Sequence, residues 1–212
     1  NIDYKNKKIL EIGGGNFWGL LPFFSKFGAK KFTNIDIVLE KKIIESNFVW
    51  NRFLKKNSSY ISAKLINKIE YSNYECQIEN FDNQDKFDRV VSISCLEHIK
   101  DVDSFFKSIK KHTNPNSIHL HLVNFSNHLN KKDPFKYIYT LDKNKFFEYY
   151  DVNINMLRLI DYERILQNNN FDYKVIILKK KSIENLKINN YWLDNYSLDQ
   201  LEVHSALLII NE

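Results

Sequence analysis

"KKILEIGGGNFWG", residues 7–19, sets the terms on which the rest of the chain is read. Residues 8–12 form an apolar run of strand length, interrupted by one acid, Glu11, and ending at three consecutive glycines, Gly13, Gly14 and Gly15. From Phe17 to Phe27 apolar residues recur at helical spacing, and Gly28 stands where a helix end favours a left-handed residue. A strand that passes through glycines into a helix has the form of a nucleotide-cofactor site. Bare backbone admits ligand atoms, and the first helical turn offers free N–H groups. A dinucleotide fingerprint, G-x-G-x-x-G, fits at Gly13 and Gly15 but meets Trp18 at its third position, with Gly19 one residue later. An indole does not suit that close-packed position, and the Glu11 carboxylate would repel a phosphate.

The pattern continues outward as strand and helix in turn. Residues 30–37 ("KKFTNIDI") read as a second strand ending at Asp36 and Ile37. Residues 40–56 read as a helix with Ile43, Ile44, Phe48, Val49 and Phe53 on one side, and 57–73 as a further helical piece. A third strand is expected over 74–79, a fourth over 87–94 ("FDRVVSIS") and a helix over 101–112 capped by Asp101 or Asp103. "NPNS" reads as a turn before a fifth strand at 118–124. Such alternation implies an α/β fold, a mostly parallel sheet with helices on both faces. The remainder contains a helix over 162–168, strands over 173–179 and 203–210, and an irregular stretch at 182–200. Residues 125–158 are polar and aromatic with little strand signal, too long for a plain connection, and insertions of that kind carry function. With no repeat and no linker, the 212 residues read as one domain.

Bulk properties narrow the function. The formal charge of +5 is spread along the chain, mostly as Lys, with no Arg-rich stripe. That suits an acidic small molecule and argues against a nucleic-acid partner. Cys76 and Cys95 fall in different elements and suggest neither a disulfide framework nor a zinc site, which fits a reducing cytoplasm. No apolar run approaches 18 residues, so no membrane span is expected.

The segment "ILEIGGGN" resembles the first motif of class I S-adenosylmethionine (SAM)-dependent methyltransferases: apolar strand, acid, Gly-x-Gly. "FDRVVSISCLEHIKDVDSFFKSIKK" is similar to the block of small-molecule methyltransferases in which a strand opening on Phe-Asp ends at Glu-His. Together with Asp36 the resemblance spans about residues 7–124. It implies a Rossmann-like seven-stranded sheet, the last strand antiparallel and supplied by the chain's end. It also implies SAM as cofactor, its ammonium attracted by Glu11, its methionine end near Ser94 and the residues that follow, and its adenine near Glu79, Asn80 or Asp82. Asp36 would take both ribose hydroxyls. A looser likeness ties "NFSNHLNKKDPF" (124–135) and "NMLRLIDYERIL" (155–166) to bacterial methyltransferases of surface-glycan gene clusters, matching at His128, Asp133, Arg158, Asp161 and Tyr162.

Methyl transfer from a sulfonium is a displacement at carbon, so the protein must chiefly position the acceptor, and a base assists if the acceptor is a hydroxyl. His98 and His128 both follow carboxyl ends of strands and are the base candidates, with a structural role for either as the other reading. Arg158 could clamp a phosphate or carboxylate of the acceptor, with a salt bridge to its helix or loop as the other reading, and Asp133 is the acid of the same acceptor segment. His119 and His121 alternate on the fifth strand and read as packing residues. Some quinone-pathway methyltransferases bind a divalent ion through Glu-x-x-Glu-His, but Ser94 stands where the first acid would be, so no metal is expected. The resulting reading is O-methylation of a small sugar or phosphorylated surface-glycan precursor. Its rivals are an NAD(P)-dependent oxidoreductase, an RNA methyltransferase, and an inert SAM-binding or partner-binding module.

Overall fold

The structure is a computed structural model and describes residues 2–15, 20–39 and 69–212. Phe17, Trp18, Gly19, the helix expected over 40–56 and most of the 57–73 stretch lie outside the described residues.

Seven strands form one sheet. They are β1 (Lys8–Ile12), β2 (Lys31–Asp36), β3 (Glu70–Glu75), β4 (Phe87–Ile93), β5 (Thr113–Asn124), β6 (Asp172–Lys180) and β7 (Val203–Asn211), in the order β3-β2-β1-β4-β5-β7-β6. β1 lies between β2 and β4, parallel to both, with Lys8 opposite Lys31 and Ile9 opposite Arg89; β2 runs parallel to β3. β1 and β4 are buried on both faces, as their near-continuous apolar sequences require. β7 is antiparallel to β5. Asn116 N donates to Glu212 O (2.8 Å) near one end, Phe125 N to His204 O (2.9 Å) near the other, so the numbers run in opposite senses. The expected Rossmann-like sheet with an antiparallel last strand is therefore present.

The chain separates into two compact units, one of residues 1–93, 107–120 and 211–212, the other of 94–106 and 121–210. In the first, α1 (Leu21–Lys26) carries Pro in its first turn, where no N–H is needed, and ends before Gly28, whose φ of 76° supplies the left-handed turn. It packs Leu21 and Phe24 on Ile9, Ala29, Phe32, Ile69 and Val91. In the second, Phe135, Ile138, Tyr139, Phe146, Met156, Trp192 and Leu201 form a separate core. Between β4 and β5 runs α2 (Val102–Lys110), capped by Asp101, which accepts from Ser104 N (2.9 Å) and Ser104 Oγ (2.7 Å).

Four expectations are corrected. The third strand is Glu70–Glu75, not 74–79, so the end of the supposed helical piece at 57–73 is strand; residues 78–80 are a short 3-10 turn. "EYSNYE" has no apolar alternation to announce it. It is an edge strand with a largely exposed face, placed by its ladder with β2. "NPNS" does not end before β5 but lies inside it, Asn116 taking a left-handed φ of 66° that accommodates the kink after Pro115. α5, preceded by α3 (Lys136–Thr140) and α4 (Lys143–Tyr149), spans Leu159–Asn168, three residues earlier than expected, because Asp161 Oδ2 accepts from Arg158 N (2.8 Å) and starts it there. Residues 182–200 are not irregular: α6 (Asn190–Asn195) and α7 (Leu198–Leu201) are capped by Asn189 and by a Ser197–Gln200 capping box.

Candidate active site

The carboxyl end of β1 builds a candidate cofactor site within the first unit. Gly13 and Gly15 have φ of 75° and 61°, left-handed values that bring the chain around sharply. Gly14 is required for a different reason. A Cβ there would lie 2.5 Å from Asn34 Oδ1 and 2.6 Å from Glu11 Oε2. The glycine run thus makes room for two polar side chains of the protein itself. Glu11 is only 4% exposed, and among the described residues its Oε2 has no hydrogen-bond donor; Asn34 Oδ1 is likewise buried without one. Asn34 Nδ2 donates to Gly15 O (3.2 Å) and Asn73 Oδ1 (3.3 Å), which fixes its oxygen's direction. Burial, and secondarily the charge of Asp36, raise the Glu11 pKa to about 7. Two buried acceptors with no donor form a cradle for a cationic N–H group, and the ammonium of a SAM-type cofactor fits that chemistry; a phosphate does not.

Asp36 lies beside this cradle. Its Oδ2 accepts from Gly15 N (2.7 Å) and its Oδ1 from Val38 N (3.0 Å). Each carboxylate oxygen retains a lone pair, so Asp36 can both shape the glycine loop and accept from ribose hydroxyls. Ile37 follows, 60% exposed. Glu79 and Asn80 are exposed on the 3-10 turn, and Asp82 is exposed just beyond it.

The second unit holds a group of candidate residues of its own. Ser94, at φ 49°, turns the chain out of β4, its N–H donating to Leu122 O (2.9 Å). Residues 96–98 then form a 3-10 turn that is tied down from the later loop. Asn155 Nδ2 donates to Leu96 O (2.8 Å) and Ile99 O (2.9 Å), Tyr162 OH donates to Leu96 O (3.1 Å), and Asn155 N donates to Glu97 O (2.7 Å). His98 Nδ1 meets the Asn153 carbonyl, so the proton sits on Nδ1. His128 is delivered by a loop built on buried Asn127. The Asn127 Oδ1 accepts from Leu129 N (2.9 Å) and Asn130 N (3.0 Å), and its Nδ2 donates to Asp133 O (3.1 Å). His128 itself takes a left-handed φ of 57°.

Glu97, His98 and His128 come together. His128 Nε2 is 3.9 Å from Glu97 Oε1, and the two imidazoles meet edge to face at 5.0 Å. Glu97 is buried, and burial raises its pKa more than its own backbone, His98, Asn124 and Ser94 lower it. Burial and the neighbouring His98 lower the His128 pKa, so its ring stays neutral to a lower pH than usual. One ligand atom from each of the three lies within 4.8 Å of the others. Two imidazoles and one carboxylate gathered this way have the chemistry of a base-and-carboxylate pair and also of a metal-ligand set.

Two of the expected acceptor residues are engaged within the protein. Arg158 is not an anion clamp. It is 2% exposed, its guanidinium donating to Phe125 O (2.9 Å), Tyr139 OH (3.0 Å) and Met156 O (3.3 Å) while lying over the rings of Phe125, Tyr139 and Trp192. An aromatic, carbonyl-lined interior takes the one cation whose planar donors it can satisfy. Asp133 serves its loop through backbone bonds. His119 and His121 are buried: His119 Nε2 meets Ser117 Oγ (3.0 Å) and Glu212 (3.7 Å), and His121 meets the rings of Phe105 and Phe106. Sequence reasoning missed Asn34, which had no signal beyond lying two residues before Asp36, and Glu97, which stood in the quoted Glu-His pair.

The profile of a family described as a methyltransferase domain matches residues 2–174. No curated protein matches the chain significantly. Among solved structures, an S-adenosylmethionine dependent methyltransferase from Mesorhizobium loti superposes with a TM-score of 0.56 at 13% identity, over 100% of this chain and 94% of its own. Magnesium protoporphyrin IX methyltransferase from Synechocystis, solved with bound SAH, gives 0.55 at 10% identity, over 99% and 75%. Phosphoethanolamine N-methyltransferase 2 from Haemonchus contortus, in complex with S-adenosyl-L-methionine, gives 0.57 at 19%, over 98% of this chain but 48% of its own. At such identities the likeness is one of fold.

Proposed function

The chain belongs to the methyltransferase-domain family, and from that premise we propose that it transfers a methyl group from SAM to a hydroxyl of a small sugar-type acceptor, a surface-glycan precursor. The observation that carries the cofactor assignment is the Glu11 carboxylate, buried beside the glycine loop with its Oε2 lacking a donor among the described residues. When bound, SAM supplies an electrophilic methyl group and its own leaving group. Glu11 and the Asn34 carbonyl hold the ammonium, Asp36 accepts from the ribose, and Glu79 or Asn80 meets the adenine.

In the second unit His128 takes the acceptor's hydroxyl proton, and Glu97 stabilises the imidazolium that results. His98, its Nδ1 tied to Asn153, positions the turn, and Ser94 meets the cofactor's methionine end. The chemistry needs no metal and no nucleic acid. We read 1–212 as one methyltransferase domain because the family match runs through residues of both units. Two cysteines placed in different elements fit a cytoplasmic setting, and no described helix is long and apolar enough to cross a membrane.

Calorimetry with S-adenosylhomocysteine, NAD and NADP tests the cofactor, and mass spectrometry of acceptor panels incubated with SAM tests the transfer. Binding of the homocysteine product alone is expected, with added methyl mass on a sugar hydroxyl. NAD binding without it would favour an oxidoreductase, and SAM binding with no transfer to any acceptor would favour an inert module.

A further inference from the structure

A cavity of about 350 Å³ opens in the second unit. Asn124, Ser126, His128, Asn130, Lys131, Pro134, Lys179 and His204 line it, and no carboxylate is among them. Among the described residues no acid pairs with Lys131 or Lys179. The neighbouring lysines of β6 and the following turn are occupied: Lys180 is bridged to Asp199, and Lys181 donates to the Lys132 carbonyl, which holds the 130–134 loop against the end of β6. His204 lies on the Phe135 ring and lines the cavity, its Nδ1 buried without a partner among the described residues. Burial and the charges of Lys179 and Lys181 disfavour a second proton on that ring. Cations gathered without a counterion repel one another, and an anion in their midst relieves the repulsion.

We propose that this cavity seats a phosphomonoester group, Lys131, Lys179 and His204 contacting its oxygens and Ser126 and Asn130 completing the donors. The cavity exceeds a phosphoryl group, and His128 stands on its wall, so an acceptor anchored by its phosphate would have the rest of its body beside the proposed base. The acceptor is thereby a phosphorylated sugar and not a neutral one. Only this last step rests on the methyltransferase reading; the seat itself rests on the lining.

Inorganic phosphate is the probe for the seat. Titrated into the whole protein at low ionic strength, it should shift the His204 ring resonances and saturate, and added salt should weaken it. The Lys131→Met/Lys179→Met double variant, exposed lysines whose loss spares the core, should weaken phosphate at least about tenfold, equivalent to about 1.4 kcal/mol. Phosphate binding that the double variant retains, or none in the wild type, overturns the seat. Glucose 1-phosphate compared with glucose in the same titration tells a phosphoryl ester from free phosphate: the ester should displace phosphate and the sugar should not. A protein that binds phosphate this way but never binds S-adenosylhomocysteine would keep the seat and lose the methyltransferase reading. The converse result would keep the enzyme and remove its phosphorylated acceptor.

Discussion

Glu11→Gln isolates the energetics of the cofactor cradle. The folded protein holds the Glu11 pKa at about 7, against an ordinary value of 4.5. Between those values the folded state keeps a proton that the unfolded chain has released, so stability is full below pH 4.5 and falls as pH rises through 7. At about 1.4 kcal/mol per pH unit, the difference amounts to about 3 kcal/mol. Glutamine has no charge to desolvate, and its amide can donate to the buried Asn34 oxygen. The variant should therefore match the wild type near pH 4.5 and exceed it by up to about 3 kcal/mol at pH 8. Binding should change in the opposite sense. An ammonium beside Glu11 favours the carboxylate, so wild-type affinity for S-adenosylhomocysteine should rise with pH up to about 7, with proton release below it. Glu11→Gln should flatten that rise and weaken binding by roughly 1.5–3 kcal/mol, the range for a hydrogen bond to a charged group. Urea unfolding of both proteins across the range, with calorimetry in buffers of different ionisation heat, measures both. Because other titrating groups, Glu97 among them, are common to both proteins, the difference reports Glu11. A pH-independent stability difference, or undiminished binding by the variant, would refute the reasoning.

Asp36→Ala should weaken S-adenosylhomocysteine by roughly 1.5–3 kcal/mol, while Asp36→Asn, which keeps an acceptor for Gly15 N, should recover part of the loss; calorimetry checks both. Arg158→Met should lower stability by roughly 2–4 kcal/mol, because the Phe125 carbonyl and Tyr139 hydroxyl lose a buried donor. Below the unfolding temperature its acceptor KM should be unchanged, and a raised KM would return Arg158 to the acceptor site. His128→Ala should leave cofactor affinity intact and lower kcat by about 10²–10⁴-fold. The wild-type kcat should fall on the acid side only below the ordinary histidine range, since burial and His98 depress the His128 pKa. A profile unaltered in the variant would remove His128 as the base.

The sequence alone carried most of the sheet, though not its edge strand β3. An apolar strand closed by glycines, a second ending in an acid and "FDRVVSIS" are local patterns, and parallel strands buried on both faces advertise themselves by composition. The fold class was legible for that reason, as was the placing of the glycines and of Asp36 at strand ends. What the sequence did not determine were properties that arise only when distant segments meet. Whether Gly14 is open for a ligand or filled by the protein's own Glu11 and Asn34 depends on β1 lying beside β2. Arg158 looked like an anion clamp because its charge is visible in sequence and its burial among Phe125, Tyr139 and Trp192 is not. Conversely, Lys131 and Lys179 were lost among many lysines until the fold set them with His204 around one cavity. Periodicity reports how a segment meets solvent, whereas the partner of a charge, which decides whether it holds the fold or a ligand, is a fact of tertiary structure.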